Sequence, residues 1–359
     1  MKRKLRSATI VVAVLLCGFM MSIAQGVYGE QGLMDLVSRL KTPVSVAPLE
    51  AQFSVYEAQQ TGLDNQSRDL LRQSAVLDGQ IKALASQKSL IPLKIQQEEL
   101  LAEFQLQGEY YNVCLLMQNG YLLDQQSNLL NKQIQVEETK LALGETTQNA
   151  VDLLHASREA LLQSRIANQA QISYSKASIE LKIDTSGTYS PDFIIPEFIN
   201  ESNTMSVADL QNHLVLNNVS MMEHDEAVSN QIILRDSLKS IGGENDSYYL
   251  EAAAQYDLLI ANREAYRSQL LLQVSSKYNE YIAAEAQYAA MIASRSALMD
   301  QLSILDTMYT QGEISELECL SAKYEVHKNL LEINVAIISK ANLSSEMDLL
   351  ANGIVLATR

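Results

Sequence analysis

The side chains best suited to metal or nucleophilic chemistry are few in this chain and poorly placed for either. Four histidines stand at 155, 213, 224 and 327; no HExxH pair occurs, and His224-Asp225-Glu226 is one run on a predicted helix with no second ligand cluster. P-loop, GxSxG and dinucleotide fingerprints are also missing. This inventory argues against an enzyme and calls for no metal or cofactor. What recurs instead is a turn. Leu143-Gly144-Glu145-Thr146, followed by Asp152-Leu153-Leu154-His155-Ala156, returns 168 residues later as Gln311-Gly312-Glu313-Ile314-Ser315, followed by Glu318-Cys319-Leu320-Ser321-Ala322. A glycine there permits the left-handed turn and leaves backbone open to an approaching partner.

Each glycine sits inside a long helical pattern, so each phrase reads as the tip of an antiparallel helical hairpin, and the chain as a duplicated hairpin protein. Gly144 to Ala156 is two residues longer than Gly312 to Ala322, which predicts a two-residue insertion in the first tip loop. Apolar pairs at Leu115-Leu116, Leu122-Leu123 and Leu129-Leu130, continued by Val136 and Leu143, keep a seven-residue step. A strict heptad supercoils helices left-handedly around their neighbours. The period returns after the tips, at Leu154 and Leu161, Ile172 and Ile179, Leu330-Leu331 and Ile337-Ile338.

The chain opens with Lys2, Arg3, Lys4 and Arg6 and an apolar run from Ile10 to Met21, the pattern of an export signal. Ser22-Ile23-Ala24 offers cleavage after Ala24, and Val27-Tyr28-Gly29 a second option; an uncleaved anchor from Thr9 to Val27 is the alternative. Leu16 is too bulky for Cys17 to be a lipidation site. Cleavage after Ala24 takes four of the 27 basic residues and none of the 43 acidic ones, for a formal charge of −20. So acidic a surface repels nucleic acid and anionic lipid. Hydrophobic residues make up 47% of the chain, enough to exclude a disordered acidic tail. If the tips lie level, Cys114, 30 residues before one glycine, and Cys319, seven after the other, are too far apart to bond.

Proline occurs only at 43, 48, 92, 191 and 196. Tyr248 to Thr310 lacks Gly and Pro and predicts a helix about 95 Å long; Leu93 to Leu143 predicts one of about 75 Å. Such lengths belong to a rod or tube. Gly187, Pro191 and Pro196 mark a crossover, with Phe193, Ile194, Ile195 and Phe198 packing locally. The expected organisation is therefore all-α: a signal peptide at 1–24, a first helical hairpin repeat at 25–184, a crossover at 185–204 and a second repeat at 205–359. A further break at Ile241 to Ser247 separates a short helix, Val219 to Lys239, from the long one.

On these features the mature chain resembles the TolC family of outer-membrane efflux proteins, internally duplicated protomers that assemble into trimeric helical ducts. The segment that carries most of the resemblance is Tyr309-Thr310-Gln311-Gly312-Glu313-Ile314-Ser315-Glu316-Leu317-Glu318-Cys319-Leu320-Ser321-Ala322, with Asn217-Asn218 similar to a repeat start. The resemblance implies that the tips, Leu143, Gly144, Glu145 and Thr146 with Gly312, Glu313, Ile314 and Ser315, dock a membrane-fusion adaptor serving an ABC- or RND-type exporter. It implies a latch in which Tyr309 meets Asp152, provided the insertion is allowed, with Ile314 in place of the latch arginine. It places Glu318 in an acidic pore ring, where three copies would repel, favour cations and raise their own pKa values. Glu145 and Glu313 depart from the family's more hydrophobic tips.

Members that perforate an outer membrane insert strand pairs at the far ends of the helices, because lipid tolerates only helices or closed barrels. Here Ile241 to Ser247 is too short for them, and Gln60 to Pro92 has helical spacing despite Gly62 and Gly79. The expectation is a barrel-less duct component of the cell envelope that exports small molecules or peptides. The rival is an exported coiled-coil scaffold without transport.

Overall fold

The computed structural model describes residues 37, 40, 46–69, 75–183, 192–195 and 205–356. The export signal and most of the crossover, Gly187, Pro191, Pro196 and Phe198 included, lie outside the described residues. Seven helices fill the described part: α1 Val46–Asp69, α2 Ala75–Ala142, α3 Gln148–Lys182, α4 Val207–Asn217, α5 Val219–Gly242, α6 Ser247–Thr310 and α7 Glu316–Ala351. Among the described residues there is no strand, only an isolated antiparallel bridge from Leu40 to Ile183. None of these helices is long and apolar enough to cross a membrane.

The duplication is plain in the packing. α2 lies between α1 and α3 as α6 lies between α5 and α7, and α2 also packs against α5 and α7 of the other half. α6, at 64 residues, is about 96 Å long and matches its expectation. α2 does not. It starts at Ala75 and runs through Pro92 for 68 residues, about 102 Å. A proline inside a helix removes one backbone hydrogen bond and crowds the preceding turn, at a cost of about 3 kcal/mol. Tertiary contacts on both sides hold the helix together here: Leu90 and Ile91 are buried, Lys88 pairs with Glu57 of α1, and Lys94 pairs with Glu223 of α5.

Three cores follow from the apolar pattern. Toward the tips, Leu130, Ile134 and Leu161 join α2 to α3, with Leu123 and Leu154 beside them. At mid-length, Leu106, Tyr110, Cys114, Ile179 and Ile338 join both halves. The described residues of the crossover, 192–195, dock on this cluster. Phe193 stacks on Tyr110 at 5.3 Å, and the Tyr110 hydroxyl lies 3.0 Å from the Asp192 carbonyl and accepts the Ile194 N–H at 3.0 Å. Burial pushes both the Tyr110 phenol and the Cys114 thiol up to about 12. Cys114 and Cys319 are both free and buried.

In the third core, α4 lays Leu210 and Leu214 against Leu270, Val274 and Met347 of the second hairpin. Beside it, Asn218 ends α4 and begins α5. Its amide donates to the Gly353 carbonyl at 2.8 Å, and its Oδ1 accepts from the Met221 N–H and the Tyr266 hydroxyl. Asn217 donates to the Ala351 carbonyl, and Gln97 of α2 reaches the carbonyls of Asn217 and Asn352. Five helices are tied at this junction.

The ends remote from the tips are closed by short connections. Positions 70–74 separate α1 from α2, and Gly243 to Asp246 separate α5 from α6. A membrane strand takes about 9–11 residues. Neither connection has room for a pair of them.

Candidate functional site: the hairpin tips

Each tip is a Schellman turn. At the end of α2 the Gly144 N–H donates to the Leu141 carbonyl at 3.0 Å and the Glu145 N–H to Lys140 at 2.8 Å; at the end of α6 Gly312 donates to Tyr309 at 3.0 Å and Glu313 to Met308 at 2.8 Å. The turn needs a residue at positive φ, and the two glycines supply +74° and +75°. Space around both is open, with no heavy atom of the wider structure within 4 Å of where a Cβ would stand.

The helices that leave the tips are capped three residues after each glycine. Thr147 begins α3 and accepts from the Ala150 N–H. Ser315 begins α7 with a capping box: its hydroxyl accepts from the Glu318 N–H at 3.2 Å, while the Glu318 carboxylate accepts from the Ser315 N–H at 2.8 Å. The two loops therefore have one length and one geometry. This corrects the expected insertion in the first tip loop. Residue i of the first half corresponds to i + 168 of the second across the tip, so Asp152 stands opposite Leu320 in the repeat.

Exposure divides the tip residues. Leu143, 69% exposed, and Glu145 and Glu313 face solvent, whereas Thr146 and Ile314 are half-buried at equivalent positions. Hydrogen bonds from Lys140 and then Thr146 hold the Glu137 carboxyl below its usual range, tying the first loop to its own helix. The latch pair is not brought together: Asp152 accepts from Gln148 at 2.9 Å, and Tyr309 is 45% exposed on the other hairpin. Glu318 is exposed, and its capping bonds, to the Ser315 backbone first, lower its pKa. Thr147, the Ser315–Glu318 box and Glu137 were not singled out in the sequence, although Ser315-Glu316-Leu317-Glu318 carries the box signature.

Both tips lie at one end. Lys132, twelve residues before Gly144, pairs with Glu316, four after Gly312; Tyr121 meets His327, and Gln118 accepts from Asn334 at 2.6 Å. Counted from the two glycines these pairs are offset by four to eight residues, roughly 6–12 Å along the helices. Three of the four histidines meet side chains of their own chain, His155 beside Glu138, His327 beside Tyr121 and His224 over Tyr266, and His213 is exposed. Among the described residues no group of three metal-binding side chains is assembled.

No sequence-family model matches the chain, and no curated protein matches it in sequence. Solved structures do match in fold. A structure of CusC described for its conformational changes on folding and transmembrane channel formation superposes with a TM-score of 0.64 at 11% identity, covering 92% of this chain and 96% of the other. A membrane protein from Pseudomonas aeruginosa gives 0.65 at 10% identity, over 89% and 93% of the two chains. The Neisseria gonorrhoeae MtrE outer membrane channel in its open state gives 0.60 at 12% identity, over 90% and 88%.

Proposed function

We propose, from a protomer that has the fold of TolC-type outer-membrane channels, that the chain is an exported, cell-envelope component of an efflux or secretion duct. Three copies form the duct. Its tips, Leu143 to Thr146 and Gly312 to Ser315, receive a membrane-fusion adaptor that couples it to an ABC- or RND-type exporter of small molecules or peptides. The observation that carries this reading is the pair of matched Schellman tips at one end, each with a glycine open to solvent. Duplication accounts for their matching loops, and what a docking partner needs in addition is backbone left open at both, which these glycines supply.

A bulky side chain at either glycine strains the positive-φ turn by roughly 1–2 kcal/mol and stands where the partner backbone approaches. Gly144→Val and Gly312→Val should therefore lose adaptor capture and exporter-dependent efflux with unchanged circular dichroism. Folded valine variants that keep full binding and efflux would remove the docking role. The short remote connections favour a second reading, an envelope scaffold without transport. It takes the lead if the unmodified protein captures no adaptor.

A further inference from the structure

The correspondence of residue i with i + 168 lets the packing of α2 and α3 be compared position by position with that of α6 and α7. On α2, the face of Leu115, Gln118 and Leu122 is covered by α7. Gln118 bonds Asn334, Leu115 packs on the cluster holding Ile338, and Leu122 shares a cleft with Leu330. The corresponding face of α6 is Ala283, Ala286 and Ala290, which Ala293 and Ala297 continue in an alternating three-four step. All five are exposed. On α7 the covering residues are Leu330, Asn334 and Ile338, which correspond on α3 to Leu162, Ile166 and Ala170. These too are exposed, Ile166 by 55%. Among the described residues α6 touches neither α1 nor α3 of its own chain.

We propose that the alanine stripe of α6 seats on the Leu162–Ile166–Ala170 face of α3 in the next copy of this chain. The inference rests on the duct reading and supplies its interface. The occupant is a second copy because each half-site is the repeat counterpart of a surface that already binds its complement within one chain. An alanine seam admits close helix packing, and the apolar side chains it accepts have no cover in the protomer. Such an interface is heterologous, so it repeats head to tail until the ring closes. The offset between the hairpins, repeated at each interface, is a uniform tilt of the staves and leaves all tips level.

The test uses the full chain purified from the envelope. A thiol cross-linker spanning about 10 Å, an interaxial distance, should join Ala286→Cys/Ile166→Cys into covalent dimers and trimers. Neither single variant should be joined, nor Ala286→Cys/Leu153→Cys, whose second site lies on another flank of α3. Ala290→Arg should shift the mass in light scattering from trimer to monomer without loss of helicity. If the trimer survives Ala290→Arg and the 286/166 pair is not joined, the interface is elsewhere and the duct reading stands. If the unmodified chain does not self-associate, both are overturned.

Discussion

Three glycines of this chain adopt the same Schellman turn, and one of them will respond differently from the other two to an added methyl group. Gly144, Gly312 and Gly353 have φ of +74°, +75° and +82°. A Cβ on Gly144 meets open space, while one on Gly353 falls 2.2 Å from the Asn217 carbonyl oxygen and 2.6 Å from the Asn218 nitrogen, both backbone atoms. Gly144→Ala should cost about 1 kcal/mol, the price of the left-handed conformation alone. Gly353→Ala must also displace the α4–α5 junction and should cost more than about 3 kcal/mol. Urea unfolding of the two variants measures the difference, and equal losses would contradict the tight junction. Asn217-Asn218 stood out in the sequence as a repeat start, but its partner Gly353 did not. A residue 135 positions away leaves no local pattern to read.

For elements, caps and long-range clamps decide where helices begin and end. Ser315→Ala removes the hydroxyl that accepts the Glu318 N–H and should destabilise the start of α7 by about 1 kcal/mol. Faster amide exchange confined to the first turn of α7 is the expected sign; exchange along the whole helix would show that the box supports more than its own end. Because Glu318 has a lowered pKa in the folded chain, its support is complete above the ordinary carboxylate value of 4.5 and is lost as pH falls through the folded value. The Ser315→Ala deficit should accordingly shrink in acid. The glycine-free, proline-free span of α6 was legible within a residue. The start of α2 was not, because Pro92 is a local stop signal that contacts from α1 and α5 override.

As a whole molecule the protomer is a rod whose length is set by α2 and α6. With remote connections of five and four positions, nothing described extends it beyond those helices. Electron micrographs of the assembled protein should show particles about 100 Å long along the tube axis, the span of α2. A particle longer by the thickness of a membrane, ~30 Å, would mean that a further spanning structure exists.

Heptad leucines, helix-breaking residues and the repeated glycine phrase determined the all-helical class and the two reversals, because each depends on neighbours within a few residues. Tertiary structure alone decided the rest. The tips have equal loops because caps at Thr147 and Ser315 fix them. Residues 192–195 of the crossover lie on Tyr110, and five helices meet at Asn218 and Gly353. These features are made by residues far apart in the chain, whose contacts depend on how hairpins lie side by side. Periodicity identifies the apolar faces of a helix, but only the packed structure shows which are already covered and which, like the alanine seam of α6, are left for another copy.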